Sequence, residues 1–128
     1  MWARLERRDK TAQFISAHTK LVAQSLHSGN IYNQTDGSFG FTAGVAESLL
    51  QSYADELSLL PALPETWPDG SITGLRARGG YTIDMKWEKG RLLSATISNP
   101  NGGTCNVRYN GNVRTITVPK STPYLINN

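Results

Sequence analysis

Asp36 is the residue of this 128-residue sequence whose setting best suits chemistry. It lies in a stretch rich in asparagine and glycine, residues 30–40, and the apolar residues of a helical pattern follow directly. Free backbone N–H groups at the start of a helix stabilise a nearby carboxylate in its ionised form. An ionised aspartate suits the activation of a polar partner, whereas a general acid needs a raised pKa. The commoner alternative is that Asp36 only forms a turn or caps the helix.

Four other side chains could contact a ligand, and each has a competing structural role. Gln34 is two residues from Asp36 and could hydrogen-bond the same ligand. Arg76 and Arg78 point to one side of an extended segment, where pairing with acidic side chains is the simpler expectation. Trp67 could stack on a flat ring, but a tryptophan beside a proline in a linker more often anchors packing.

The composition argues against several classes of function. The net charge is +3 and the basic residues are dispersed, whereas a nucleic-acid-binding face clusters them, so we expect no nucleic-acid partner. Cys105 is the only cysteine, which excludes a disulfide or a cysteine-based zinc site within the chain. The histidines, His18 and His27, are nine residues apart and do not share a helix face, so no histidine-based metal site is expected; His18 is expected on the surface and His27 in a loop.

Nothing in the sequence predicts insertion into a membrane. No apolar run approaches the ~20 residues needed to span a bilayer, and we expect no membrane partner. The amino-terminal letters WARLERRDK are charged and lack the apolar core of a signal peptide. Either the protein is cytoplasmic or the true amino terminus of a longer chain is missing.

Two amphipathic helices are predicted in the first half of the chain. Residues 11–26 place apolar side chains on one side at intervals of three and four, and residues 42–53 repeat the pattern. The polar stretch 30–40 connects them as a loop. Two helices that each bury one face make a poor independent domain, so residues 1–56 need further structure to pack against.

The second half predicts an ordered linker followed by strands. Residues 57–78 begin with an extended leucine-rich run and then carry prolines that exclude helix and central strand. Residues 79–128 contain five alternating segments separated by turns, as in an antiparallel sandwich. The predicted fold class is therefore α+β, with a helix pair followed by an antiparallel β-sandwich-like domain.

Two long motifs resemble the C-terminal region of glycoside hydrolase family 95, the α-L-fucosidases. The first is QTDGSFGFTAGVAESLLQS, residues 34–52, and the second is LLPALPETWPDGSITGLRARGGYTIDMKW, residues 59–87. They match that family in order and spacing, while the last forty residues match in character only. The asparagine, isoleucine and tyrosine before Gln34 depart from the family, as do Thr35 and Ser38, which leaves the substrate contacts open.

The resemblance implies an inverting hydrolase that removes terminal α-linked L-fucose from glycans, although some relatives prefer L-galactosides. It implies that residues 1–56 are the last helices of an (α/α)6-type catalytic barrel and that the rest of the barrel lies upstream in the same polypeptide. Asp36 matches an active-site aspartate that orients and activates water, with asparagines from elsewhere in the barrel. Gln34 is a candidate substrate contact. The family implies no metal or organic cofactor, and it implies export to the periplasm or outside the cell.

The general acid has no matching position in this chain. In the family a separate glutamate protonates the leaving oxygen, and it would lie upstream of Met1, because Glu47 is expected to be an ordinary helix-face residue. We therefore expect this chain alone to be inactive. The alternative is a non-catalytic β-sandwich module that binds carbohydrate or supports a neighbouring domain, using the strands after Gly79 and Trp67.

Overall fold

A computed structural model describes residues 1–20, 35–53 and 55–127 of the chain. Two described helices precede a run of strands that ends near the carboxyl terminus, and a 3₁₀ turn, Arg78–Gly80, interrupts the run. The elements are α1 (Arg8–Thr19), α2 (Thr35–Leu49), β1 (Leu50–Tyr53), β2 (Glu56–Leu59), β3 (Gly70–Arg76), β4 (Thr82–Glu88), β5 (Arg91–Ser98), β6 (Gly103–Tyr109), β7 (Asn112–Val118) and β8 (Tyr124–Asn127). Neither described helix is long and apolar enough to cross a membrane.

The strands form two four-stranded sheets. The first sheet has the order β1-β2-β6-β7, and the second has the order β3-β4-β5-β8. Neighbouring strands are antiparallel except β2 and β6, which run parallel. This parallel pair is possible because most of the second sheet lies between its strands in sequence, which is the long crossover that parallel strands need.

One apolar core lies between the two sheets. Ile83, Met85 and Trp87 alternate with more exposed residues along β4, so one face of the second sheet is buried. Val107 and Ile116 come from the first sheet and belong to the same cluster. The structure is therefore α+β, with an N-terminal helix pair and a β-sandwich-like domain, as the sequence predicts.

The five strands predicted after Gly79 are all present as β4 to β8, and three further strands precede them. The extended leucine run at the start of the predicted linker is β2, whereas β3 was not predicted. Strand β3 lies at a sheet edge, and its register shifts between Ile72 and Leu75, where Gly74 has a φ of 75°. A bulge of this kind breaks the two-residue alternation that identifies a strand in sequence. The division into barrel helices, linker and β-domain stays a prediction.

Helix α2 differs from its prediction at both ends. It is helical from Thr35, so part of the expected loop is helix, and it ends at Leu49 rather than at Tyr53. The next four residues form β1 because they pair with β2, from Leu50 opposite Leu59 to Tyr53 opposite Glu56. Sheet pairing thus overrides a helical pattern that the leucines alone would continue. The described part of α1 begins three residues before its prediction.

The short segment before α1 joins the helices to the first sheet. The buried amide of Gln51 in β1 donates a 2.7 Å hydrogen bond from Nε2 to the Ala3 carbonyl oxygen. Arg108 in β6 contacts the carboxylates of both Glu56 and Glu6, with Nε 2.6 Å from Glu56 Oε1. The contact between Arg108 and Glu6 connects residues 102 positions apart in the chain.

Candidate functional site

Asp36 lies in the first turn of α2, and its side chain is exposed. The sequence placed it in a loop before the helix, whereas the structure places it within the helix. The physical argument for it survives this change, because backbone N–H groups in the first turn have no partner inside the helix and favour a carboxylate there. Gln34, the predicted substrate contact, lies outside the described residues, and so does His27.

An apolar groove between α1 and α2 begins beside Asp36. Gly37, Gly40 and Gly44 supply its α2 side, and the groove encloses about 400 Å³. Asp36 precedes Gly37 but is not one of the residues lining the groove. The other lining residues are Met1, Trp2, Ala3, Thr11, Phe14, Ile15, His18 and Phe41. A groove with this lining suits an apolar surface rather than a charged group.

His18 is half-buried in this groove, although the sequence suggested a surface position. Its ring stacks on Phe41 of α2, with centroids 4.6 Å apart, and more distantly on Phe14 at 6.1 Å. The imidazole therefore holds the two helices together. Among the described residues no cluster of three or more histidine, cysteine, aspartate or glutamate side chains is arranged to hold a metal ion.

Glu47, eleven residues after Asp36, is held in an ion pair. Its Oε1 accepts a hydrogen bond from Arg4 at 3.0 Å, which ties α2 to the segment before α1. Its Oε2 is buried and has no hydrogen-bond partner within the described part of the chain. A carboxylate paired in this way serves structure, which agrees with the expectation that Glu47 is not the general acid.

Arg76 and Arg78 lie at the junction of the helices and the sandwich. The sequence predicted ion pairs for both, but in residues 1–20, 35–53 and 55–127 no acidic group is within ion-pair distance of either. Arg76 instead donates from Nη1 to Thr82 Oγ1 at 2.8 Å. The backbone N–H of Arg78 donates to Ser52 Oγ at 3.1 Å. The pairing of these arginines with acidic groups of the barrel stays a prediction.

Trp67 has the packing role that the sequence favoured. It is half-buried against the core, and its carbonyl oxygen accepts a 3.0 Å hydrogen bond from Trp87 Nε1. Trp87 is buried, so this bond satisfies an indole N–H that would otherwise be left without a partner in the core. The pair fastens the proline-containing segment to the second sheet.

A polar cavity of about 330 Å³ lies where the ends of the two sheets meet. Tyr81, Asn99 and Cys105 contribute side chains to it, together with Gly79, Gly102 and Gly103 among others. Burial, followed by the neighbouring Cys105, raises the pKa of the Tyr81 hydroxyl, and burial raises the pKa of the Cys105 thiol. Both groups are therefore neutral at physiological pH, which suits hydrogen bonding rather than nucleophilic chemistry.

Sequence patterns do not reveal this cavity, because its residues come from three separate parts of the chain. The available signal was the two glycine pairs, Gly79–Gly80 and Gly102–Gly103, all four of which adopt positive φ. At Gly103 a Cβ would lie 2.7 Å from the Tyr81 hydroxyl oxygen, so only glycine allows the ring its position. Glycine pairs in a sequence predict tight turns, but they do not predict which cavity those turns line.

The comparisons with known proteins agree on one family. Residues 51–124, more than half of the chain, match the model of the glycoside hydrolase family 95 C-terminal domain. The matched segment begins in β1 and ends in β8, so it corresponds to the two sheets of the sandwich. The predicted catalytic residue, Asp36, precedes the matched segment.

Three curated relatives carry fucosidase names. The protein is 40% identical to "Alpha-L-fucosidase 2" of Arabidopsis thaliana over 73% of this chain and 13% of that relative. It is 29% identical to "Probable alpha-fucosidase A" of Aspergillus oryzae over 84% of this chain and 17% of that relative. The protein of the same name from Aspergillus niger is 33% identical over 55% of this chain and 10% of its own length. The chain thus spans less than a fifth of each of these relatives, and it belongs to glycoside hydrolase family 95.

Proposed function

We propose that the chain is the C-terminal part of an inverting α-L-fucosidase-like glycoside hydrolase that removes terminal α-linked L-fucose from glycans. The similarity to relatives named as fucosidases, at up to 40% identity, carries the proposal. The sandwich supplies the C-terminal domain of such an enzyme, and α1 and α2 are the last helices of its barrel. The substrate is a fucosylated oligosaccharide or glycan.

Asp36 acts on the water nucleophile in this proposal. Its carboxylate accepts a proton from water as the water oxygen attacks the anomeric carbon of fucose. A glutamate outside this chain donates a proton to the leaving oxygen as the glycosidic bond breaks. The exposed position of Asp36 in the first turn of α2 supports this role, because a base must reach the substrate.

The helix pair needs a partner, and the upstream barrel of the same polypeptide is the one that we propose. Phe14 is 54% exposed and Phe39 is 71% exposed, although both lie on helices whose other faces are packed. Large apolar side chains left exposed on packed helices indicate surfaces that other protein covers. The apolar groove between α1 and α2 adds to this surface on the side of Phe14, which is one of its lining residues together with Phe41.

The isolated chain should release no fucose. An inverting glycosidase needs two carboxyl groups roughly 6.5–9.5 Å apart, one on each side of the scissile bond. Glu47 is paired with Arg4 and lies about three helical turns from Asp36, which is too far along the same helix to face it across a sugar. An assay of the 128 residues on 2′-fucosyllactose should therefore give the rate of the buffer blank, and measurable fucose release would contradict the proposal.

A second candidate function follows from where the family model matches. Residues 51–124 exclude Asp36, so the sandwich alone is a non-catalytic module that binds carbohydrate or supports the barrel. A titration with fucosylated glycans separates the two ideas. Binding that survives Asp36→Asn but is lost on Trp67→Ala would favour a carbohydrate-binding module, although half-burial of Trp67 makes a supporting role the better expectation.

A further inference from the structure

A basic cavity lies at the junction of α2, β1 and the end of β3. It encloses about 420 Å³, and we call it the arginine cavity. Its lining residues are Arg4, Ala43, Ala46, Glu47, Leu50, Ser52, Tyr53, Arg76 and Arg78. We propose that the arginine cavity is a binding site for a carboxylate group.

The charge balance of the cavity favours an anion. Three guanidinium groups line it, from Arg4, Arg76 and Arg78, and Glu47 is the one acid among the lining residues that the structure describes. Arg4 and Glu47 neutralise each other in their ion pair. Two positive charges are left in a partly enclosed space, where an incoming anion meets less screening than on open surface.

Two of the guanidinium groups are already oriented. Arg76 is held by the 2.8 Å hydrogen bond from Nη1 to Thr82 Oγ1, and Arg4 is held by Glu47. Arginine has five N–H donors, so each keeps several for a ligand. The backbone of Arg78 is fixed by its bond to Ser52 at the cavity wall. Side chains fixed before binding lose less entropy when the ligand arrives.

The shape of the cavity suits a small organic acid better than an inorganic ion. Ala43, Ala46 and Leu50 provide an apolar floor, and Tyr53, which is 42% exposed, provides a phenol ring at the edge. An apolar floor with a guanidinium wall accommodates a carboxylate joined to carbon. The planar fork of arginine matches the two oxygens of a carboxylate in a bidentate bond.

Two sources could supply this carboxylate. One is an acidic sugar on a glycan, and the other is an aspartate or glutamate side chain of a partner surface. In both cases the site is separate from Asp36, because Ala43 is seven and Glu47 eleven residues further along α2, or roughly 10–16 Å at 1.5 Å per residue. Carboxylate binding at this site therefore does not depend on fucose hydrolysis.

The test is a titration of the whole chain, labelled with ¹⁵N, in which the arginine Nε–Hε signals are followed by NMR. The probes are D-glucuronate, acetate and L-fucose, with sodium chloride keeping the ionic strength constant. We expect saturable shifts of the Arg76 and Arg78 signals with dissociation constants on the order of millimolar for the carboxylates. L-Fucose, which is neutral, should leave both signals in place. Tighter binding of glucuronate than of acetate points to an acidic sugar, and equal binding points to an acidic side chain.

Matched variants locate the binding. Arg76→Gln and Arg78→Gln should each weaken carboxylate binding at least ~10-fold, because each removes a bidentate donor. Arg91→Gln is the control, because Arg91 is exposed and far from the cavity. It pairs with Glu88 at one end of β4, whereas Thr82, which holds Arg76, is at the other end. The proposal is overturned if the unaltered chain shows no saturable shift, if chloride alone causes the same shift, or if Arg91→Gln weakens binding as much as the cavity variants.

Discussion

Tyr81 and Cys105 are weak acids that stay neutral in the polar cavity, and this makes the stability of the folded protein depend on pH. Burial raises the pKa of both groups in the folded protein. In the unfolded chain a thiol ionises near pH 8.5 and a phenol near pH 10. Their contribution to stability is therefore complete below about pH 8 and is lost as the pH rises through the folded pKa values.

We expect the thermal unfolding midpoint to fall between pH 8 and pH 11, and part of that fall to belong to these two residues. The double variant Tyr81→Phe, Cys105→Ala cannot ionise at either position, so its midpoint should fall less steeply over the same range. Circular dichroism melts of both proteins at several pH values measure the difference. Identical slopes would show that the cavity does not hold these groups neutral.

The neighbouring Trp87 ring leaves no room at position 70 for a side chain larger than that of glycine. A Cβ at this position would lie 2.3 Å from Trp87 Cζ2, and Trp87 is buried opposite it in the β3–β4 pair. Gly70→Ala should displace the indole and weaken its bond to the Trp67 carbonyl. We expect a loss of about 1–3 kcal/mol in the free energy of unfolding, measured by urea denaturation. A loss below about 0.5 kcal/mol would mean that the ring moves without penalty.

At the scale of the elements, helix α2 contains glycines that its structure does not use for contact. A Cβ at Gly44 would meet nothing within 4 Å among the described atoms. Gly44→Ala should therefore stabilise the chain by about 0.5–1 kcal/mol, because alanine loses less backbone entropy in a helix. The same urea experiment that measures Gly70→Ala measures this opposite sign. A destabilised Gly44→Ala protein would show that α2 is not helical at this point in solution.

Elements that follow regular alternation were predictable from the sequence, and elements shaped by distant partners were not. Strand β4 alternates Ile83, Met85 and Trp87 with exposed residues, so its period was visible. The change from helix to strand after Leu49 was not visible, because it depends on pairing with residues in β2. The helix that replaces part of the predicted loop contains three glycines, whose local preference is for turns.

The candidate site divides in the same way. The glycine-rich motif predicted a carboxylate at the start of a helix, and Asp36 does lie in the first turn of α2. The arginine cavity and the polar cavity each gather residues from several elements that only the fold brings together. The spacing of residues in the sequence predicts on which side of a helix or strand each side chain lies. A cavity depends in addition on how several elements pack together.

At the scale of the whole molecule, Arg108 connects the first sheet to the start of the chain. Its guanidinium contacts Glu56 in β2 and Glu6 before α1, and its own side chain is about a quarter exposed. A double-mutant cycle with Glu6→Gln and Arg108→Met should give a coupling energy of about 0.5–1 kcal/mol. Chemical denaturation of the four proteins supplies the values.

The local pair of Arg7 and Asp9 is the matched comparison for that cycle. It links residues only two apart and both side chains are more than half exposed, so its coupling should be close to zero. The two coupling energies should differ because Arg108 and Glu6 join distant parts of the chain, whereas Arg7 and Asp9 are near neighbours in sequence. Equal coupling energies in the two cycles would mean that Arg108 does not hold the helices to the sheet.

We propose that the chain acts as one end of a larger hydrolase, because it belongs to glycoside hydrolase family 95 and spans less than a fifth of each relative. A chimera tests that view, in which this chain replaces the C-terminal part of the Arabidopsis thaliana relative to which it is 40% identical. The chimera restores the barrel that we propose lies upstream and with it the general acid. Circular dichroism establishes that each chimera folds before activity is compared.

The measurement that bears most directly on the central claim is fucose release by that chimera with and without the Asp36 carboxylate. Asp36→Asn keeps the size of the side chain but removes the base, so release from 2′-fucosyllactose should fall at least ~10²-fold. Asp55→Asn, at an exposed acid in the β1–β2 turn, should leave the rate unchanged. A folded Asp36→Asn chimera that releases fucose as fast as its parent would contradict the assignment of Asp36 to the reaction.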